Sequence, residues 1–261
     1  MKSQRYRIRK RRRRIGILLT AVVIVAAFTI ALKYESCGIS MGNYRAVLEA
    51  KRELRSHQEY PESLAELLEN NPETAEFVRD YGKEAGISHT IDLTNEIHPG
   101  EIPLFIQWDE RWGYELYGNE MIAVDGCGPT SLAMVLAGLT QDASWSPLRV
   151  AEFAQENGYY VDGSGSSWSL MSDGASSLGL KAKVLSLDKG VIQKELKEGH
   201  PIICIMGPGD FTSSGHFIVL TGLNDDGTVR VNDSNSRINS KKSWDLDRIM
   251  GQIRNLWSYS L

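Results

Sequence analysis

Residues 124–138 read VDGCGPTSLAMVLAG, and the organisation of the whole chain turns on them. The pattern predicts a helix starting at Cys127. Pro129 falls in the first turn, where a missing N–H costs nothing, and Leu132, Val135, Leu136 and Leu139 recur at helical spacing. A thiol at a helix start meets unpaired amide donors and the positive end of the helix dipole, and both favour the thiolate. Gly126 and Gly128 flank the cysteine and are expected to let the backbone turn sharply and leave room for an approaching ligand. A lone cysteine at a strand-to-helix turn reads equally as a buried structural thiol, so its partners elsewhere decide between the two.

A reactive thiolate needs a base, and the chain offers five histidines. His57, His89 and His98 fall in charged or turn-rich segments, and His200 precedes Pro201. His216 instead opens an apolar strand directly after Gly215. A period of two puts His216, Ile218 and Leu220 on one face, so the imidazole stands at the edge of a packed sheet. The runs 216–223 and 228–232 are separated by Asn224-Asp225-Asp226-Gly227, a hairpin signal. Asp233 follows the second run, so it and His216 are expected to face one another at one end of the sheet. Asn232 is the alternative orienter, although alternation points it to the other face. Upstream, Gln107 lies in a segment reading Phe105-Ile106-Gln107-Trp108, and a side-chain amide there is suited to stabilise an oxyanion beside the backbone N–H of Cys127.

The ordered set Gln107, Cys127 within Gly126-Cys127-Gly128-Pro129-Thr130-Ser131, His216 within Gly215-His216-Phe217-Ile218-Val219-Leu220, and Asp233 within Val231-Asn232-Asp233 resembles the papain-like cysteine peptidases. More closely, it is similar to the branch related to bacteriocin-processing, double-glycine-leader peptidases. The resemblance covers about residues 101–261. It implies an α+β, papain-like fold, with Cys127 as nucleophile, His216 as base, Asp233 as orienter, Gln107 in the oxyanion hole, and a peptide or protein as substrate. One departure is Ser234, where a proline often follows the aspartate of that family. Two rival readings use the same residues. One is a cell-wall amidase or transglutaminase-like acyl transferase, and the other is a binding domain that keeps the fold without turnover.

Outside this region the chain reads as three further parts. Residues 1–14 form a basic tail with nine Lys/Arg and no acid, which leaves 20 basic against 33 acidic residues in the remainder and hides an acidic body behind a net charge of −4. Residues 15–32 carry no charge and, at about 1.5 Å per residue, span most of a roughly 30 Å hydrocarbon core. They are expected to form a transmembrane helix contacting the lipid bilayer, with the N-terminus cytoplasmic and the rest outside the cell. A cleaved signal peptide and a lipid anchor on Cys37 are the alternatives. Residues 33–100 are expected to hold two or three short helices, a stalk or cap, and then a linker over 86–100. Pro61 and Pro72 mark helix starts, and the plainest expectation is a solvated spacer.

In the body, helices are expected after Ser146 and over 168–178 and 189–197, and strands over 181–187, 201–206 and 253–259. Helices first and an antiparallel sheet later is the α+β pattern. Three cysteines without a CxxC or Cys/His cluster form neither a disulfide framework nor a metal site, and no motif calls for a cofactor. The basic run abuts an apolar segment, which makes it a topology signal rather than a nucleic-acid patch.

Overall fold

The computed structural model describes residues 41–261. Three helices open it: α1 (Met41–Ser56), α2 (Glu62–Asn70) and, after a 3-10 turn at Pro72–Thr74, α3 (Ala75–Glu84). Pro61 stands immediately before α2, and Leu64, Leu67 and Leu68 form its buried stripe. The body follows with a hairpin of β1 (Leu116–Tyr117) and β2 (Glu120–Met121), then α4 (Ile122–Asp125), α5 (Cys127–Thr140) and α6 (Pro147–Glu156). Ser146 caps α6 by accepting from the Arg149 amide at 3.2 Å. A second hairpin, β3 (Tyr160–Val161) and β4 (Gly165–Ser166), leads to a π-type turn at Leu170–Gly174 and the short α7 (Ala175–Ser177).

The remainder builds the sheet: β5 (Lys181–Val184), α8 (Lys189–Lys197), β6 (Ile202–Met206), β7 (His216–Leu223), β8 (Val229–Asp233), α9 (Arg237–Ser240), β9 (Ser243–Trp244), α10 (Leu246–Met250) and β10 (Ile253–Ser260). The six strands are antiparallel neighbours in the order β5-β10-β6-β7-β8-β9. Alternation along each strand divides the interior into two layers. Ile203, Ile205, Phe217, Val219, Trp257 and Tyr259 join the core around α5. Ile202, Cys204, Ile218, Leu220 and Val231 face the opposite layer, which Ile192 and Leu196 of α8 and Leu246 and Ile249 of α10 close. Residues 128–138 of α5 are all buried, so this helix is apolar around its whole circumference. Each fully buried Leu or Val there contributes about 1.5–3 kcal/mol, which fixes the helix and with it the position of Cys127.

Three expectations need correction. The α+β, papain-like arrangement is present, but the expected architecture also included a transmembrane helix. Among the described residues no helix is long and apolar enough to cross a membrane, and residues 15–32, with the basic tail and Cys37, lie outside the described residues.

The helices α1 to α3 also differ from a solvated spacer, because they dock on the body. Val47, Leu64, Leu68, Phe77 and Val78 share one core with Ile106, Trp108, Tyr114 and Met121. Phe77 stacks on Tyr114 with ring centroids 4.0 Å apart, and the Tyr114 hydroxyl donates to the Phe77 carbonyl at 2.8 Å. A solvated face has no such aromatic payload to bury.

Residues 168–178 form the π-type turn and α7 instead of one regular helix. The Ser176 and Ser177 hydroxyls donate to the carbonyls of Ser172 and Asp173, and the Tyr259 hydroxyl donates to the Met171 carbonyl. Side-chain and long-range donors therefore compete for carbonyls that a regular helix uses internally.

Candidate active site

Cys127 is the first residue of α5, half-buried, and no side chain caps the helix start. The one-turn helix α4 delivers the chain there, closed by the Gly126 amide on the Ile122 carbonyl at 2.8 Å. The flanking glycines are required for a reason other than the one expected. Gly126 has a φ of −83°, which any residue adopts, but a Cβ on it would lie 2.4 Å from the Ile122 carbonyl oxygen. A Cβ on Gly128 would meet the Ser166 hydroxyl oxygen at 2.6 Å. Both are places where other parts of the chain approach closely; neither opens space for a ligand.

His216 opens β7 and is 6% exposed. Asp233 ends β8, where it pairs in register with Ile218, so the diagonal neighbours His216 and Asp233 share a face at the end of the sheet. The imidazole Nε2 lies 2.7 Å from Asp233 Oδ1. Cys127 lines the same cleft as this ring and contributes to its electrostatics. Burial disfavours charge on this ring, but the Asp233 charge and hydrogen bond, followed by the contribution of Cys127, overcome it and raise the His216 pKa to about 10. The shift favours the imidazolium over the neutral ring across the neutral range. Its protonation stabilises the fold fully below the ordinary pKa of about 6.5, and that contribution is lost as pH rises through about 10.

The Asp233 carboxylate is 1% exposed and fully engaged. Besides His216, Oδ1 accepts from the Asn235 amide at 2.9 Å, and Oδ2 accepts from Asn239 Nδ2 at 3.0 Å. Asn232 takes no part, since its side chain donates to the carbonyls of Ile102 and Pro103 on the other face, as the strand alternation requires.

Gln107 is buried beside these groups. Its Nε2 donates to the Ala123 carbonyl at 2.9 Å, with the Val124 carbonyl at 3.3 Å, and its Oε1 accepts from the Ser234 hydroxyl at 3.0 Å. The Gln107 backbone amide also donates to the Ser234 carbonyl at 2.8 Å. Ser234, the position that departs from the resembling family, thus fixes both ends of Gln107.

An open cleft of about 420 Å³ is lined by Gln107, Cys127 and His216 together, and also by the 210–215 loop and by Ser63, Glu66 and Leu67 of α2. Trp168 is half exposed and packs edge-on against Trp257. Trp108 lies under the Arg237 guanidinium instead of in the cleft. Cys204 is fully buried, and burial pushes its thiol up, away from the reactive form.

Asn235 and Asn239, which the sequence did not single out, and Ser234, marked there only as a departure from the resembling family, hold Asp233 and Gln107 in place. They sit on a loop and a one-turn helix, where no period marks a polar residue.

The His216 shift gives a test with a defined sign. Asp233→Asn removes the charge that does most to hold the imidazolium but leaves an oxygen to accept from the ring. The alkaline limb of the pH profile of Cys127 alkylation is expected to move at least about one unit toward acid, with the rate near neutrality changed by less than about tenfold.

A model of the Peptidase_C39 like family matches residues 100–260. No curated protein matches the chain.

Proposed function

The chain belongs to the Peptidase_C39 like family, and from that premise we propose that it is a thiol peptidase that cleaves peptide bonds by acyl transfer through Cys127. The observation that supports this reading is that Cys127, half-buried at a helix start, lines one cleft with His216, whose Nε2 lies 2.7 Å from the buried Asp233 carboxylate. The Cys127 thiolate attacks the carbonyl carbon, and the carbonyl electron pair moves to oxygen. The helix-start amide of Cys127 and the Gln107 side chain stabilise that oxyanion. On collapse the C–N bond breaks and His216 gives its proton to the departing amine. The now neutral His216 takes a proton from water, the hydroxide displaces the thiolate from the thioester, and the imidazolium pair is restored.

Asp210 and Glu66 border the cleft, and Asp210 is bound by Arg248 Nε at 2.7 Å. A peptide with neutral or basic side chains fits this lining. The resemblance to double-glycine-leader peptidases makes a peptide ending its recognition segment in two glycines the first substrate to try. The test is labelling of the full-length chain with a peptide carrying a thiol-directed warhead, followed by mass spectrometry of the Cys127 peptide. Modification of Cys127, abolished by prior iodoacetamide treatment, is the expected result. A chain that stays unlabelled by a panel of such peptides is a binding module on this fold.

A further inference from the structure

Accepting the thiol-peptidase reading, we propose that the helical unit of residues 41–84 is a working part of the site, in which Asn71 and Glu73 position the segment that holds Asp233 against His216. Two donors that fix the Asp233 carboxylate, the Asn235 amide and Asn239 Nδ2, both come from the short stretch 235–239. This stretch is a turn followed by the one-turn helix α9, too short to hold its own position. What it leans on is the helical unit. The Glu73 carboxylate accepts from the Ser236 hydroxyl and from the Ile238 amide at 3.2 Å, at the start of α9, where a negative group satisfies otherwise unpaired donors. Asn71 Nδ2 donates to the Asn235 carbonyl, which also receives the Trp108 indole N–H at 2.9 Å. The Arg237 guanidinium lies 4.2 Å from the centre of the Trp108 ring, so the stretch is gripped from both sides.

The contacts form one continuous series from Glu73 through Ser236 and Asn239 to Asp233 and His216, which lines the cleft with Cys127. Asn71 caps the 3-10 turn that carries Glu73, accepting from the Glu73 amide at 3.0 Å, so the two braces are themselves rigidly related. The same unit supplies one wall of the cleft through α2. A misplacement of about 1 Å at a catalytic group transmitted from such supports is enough to cost up to about 100-fold in rate.

The titratable groups facing His216 are Asp233 from β8 and Cys127 from α5, with Asp210 and Glu66 bordering the cleft. A brace that loosens Asp233 therefore acts on the population of the imidazolium–thiolate pair. Its signature is a loss of thiolate reactivity at low pH that vanishes at high pH, where the thiolate exists without help.

The experiment measures the second-order rate of iodoacetamide alkylation of Cys127 in the full-length chain, by mass spectrometry, for the unmodified protein, Glu73→Gln and the double variant Asn71→Ala/Glu73→Ala. The double variant is expected to react about tenfold more slowly near pH 5.5 and within about twofold of the unmodified protein near pH 9.5. Glu73→Gln, which keeps one acceptor oxygen, is expected to lose about threefold at the lower pH only. Should the double variant not fold, Glu73→Gln decides alone. A merely structural role predicts a lowered melting temperature with the ratio of the two rates unchanged, and that outcome overturns the inference while leaving the peptidase reading intact. An unmodified chain without enhanced reactivity near pH 5.5 overturns both.

Discussion

Replacing Cys127 with alanine is expected to reduce hydrolysis of a cleavable peptide by at least about 10,000-fold, with the fold retained. The magnitude follows from the division of labour at the site. Without the sulfur no acyl-enzyme forms, and the remaining groups only orient a substrate toward water. The fold is expected to survive because Cys127 is half-buried at the edge of the core and the helix behind it is anchored by residues 128–138. His216 loses its sulfur partner in this variant, so its pKa falls from about 10, although the Asp233 charge and hydrogen bond continue to hold it above the ordinary value. The checks are turnover of a peptide and a thermal melt on the same preparation. Retained turnover in the alanine variant shows that the chemistry lies elsewhere.

Gln107→Ala is expected to lower kcat by about 100- to 1000-fold, the usual cost of removing one oxyanion donor, with KM changed by less than about threefold. Gln107 is held by three contacts: Nε2 on the Ala123 carbonyl, Oε1 under the Ser234 hydroxyl, and its backbone amide on the Ser234 carbonyl. Its side chain is thus held in one place before substrate arrives, and a donor so fixed has leverage over a charge that develops only in the transition state. Ser234→Ala removes one of these supports and is expected to cost about three- to tenfold in kcat, since one hydrogen bond is lost and the amide keeps its other anchor. In a chain already lacking the Gln107 side chain, the Ser234 substitution is expected to have no further effect on kcat, which a double-mutant cycle measures. Additive losses place Ser234 in general stability instead.

The parts of the fold that could be read from residues alone are those whose signal is local. Leu132, Val135 and Leu136 mark α5 by spacing, and the runs at 202–206 and 216–223 are apolar on both faces because each faces a packed layer. The hairpin at 224–227 carries its own chemistry: Gly227 has a φ of +82°, and the Asp226 carboxylate accepts from the Thr228 amide.

The docking of α1 to α3 was not legible, because Val47, Leu64 and Phe77 form a stripe that looks the same whether it meets a body or another thin helix. Asn71 and Glu73 read as ordinary helix-start residues beside Pro72, and their partners lie more than 160 positions away. At the site, period two correctly separates Asp233 from Asn232. No pattern of residue types could show that Ser234, Asn235 and Asn239 converge on Gln107 and Asp233, because loop geometry sets that convergence. The flanking glycines show the reverse case: their presence was read correctly as a constraint, but Ile122 and Ser166 occupy the space attributed to a ligand.

The most direct measurement of the central claim is the protonation state of His216, followed by nitrogen-15 magnetic resonance of the imidazole in the full-length chain with Cys127 free. Both ring nitrogens are expected to stay protonated at about pH 8, titrating only toward about 10, and to titrate at lower pH once Cys127 is blocked by methylthiolation. A ring that is already neutral at about pH 8 and titrates near the ordinary value of about 6.5, unaffected by blocking the thiol, contradicts the thiolate–imidazolium pair on which the account rests.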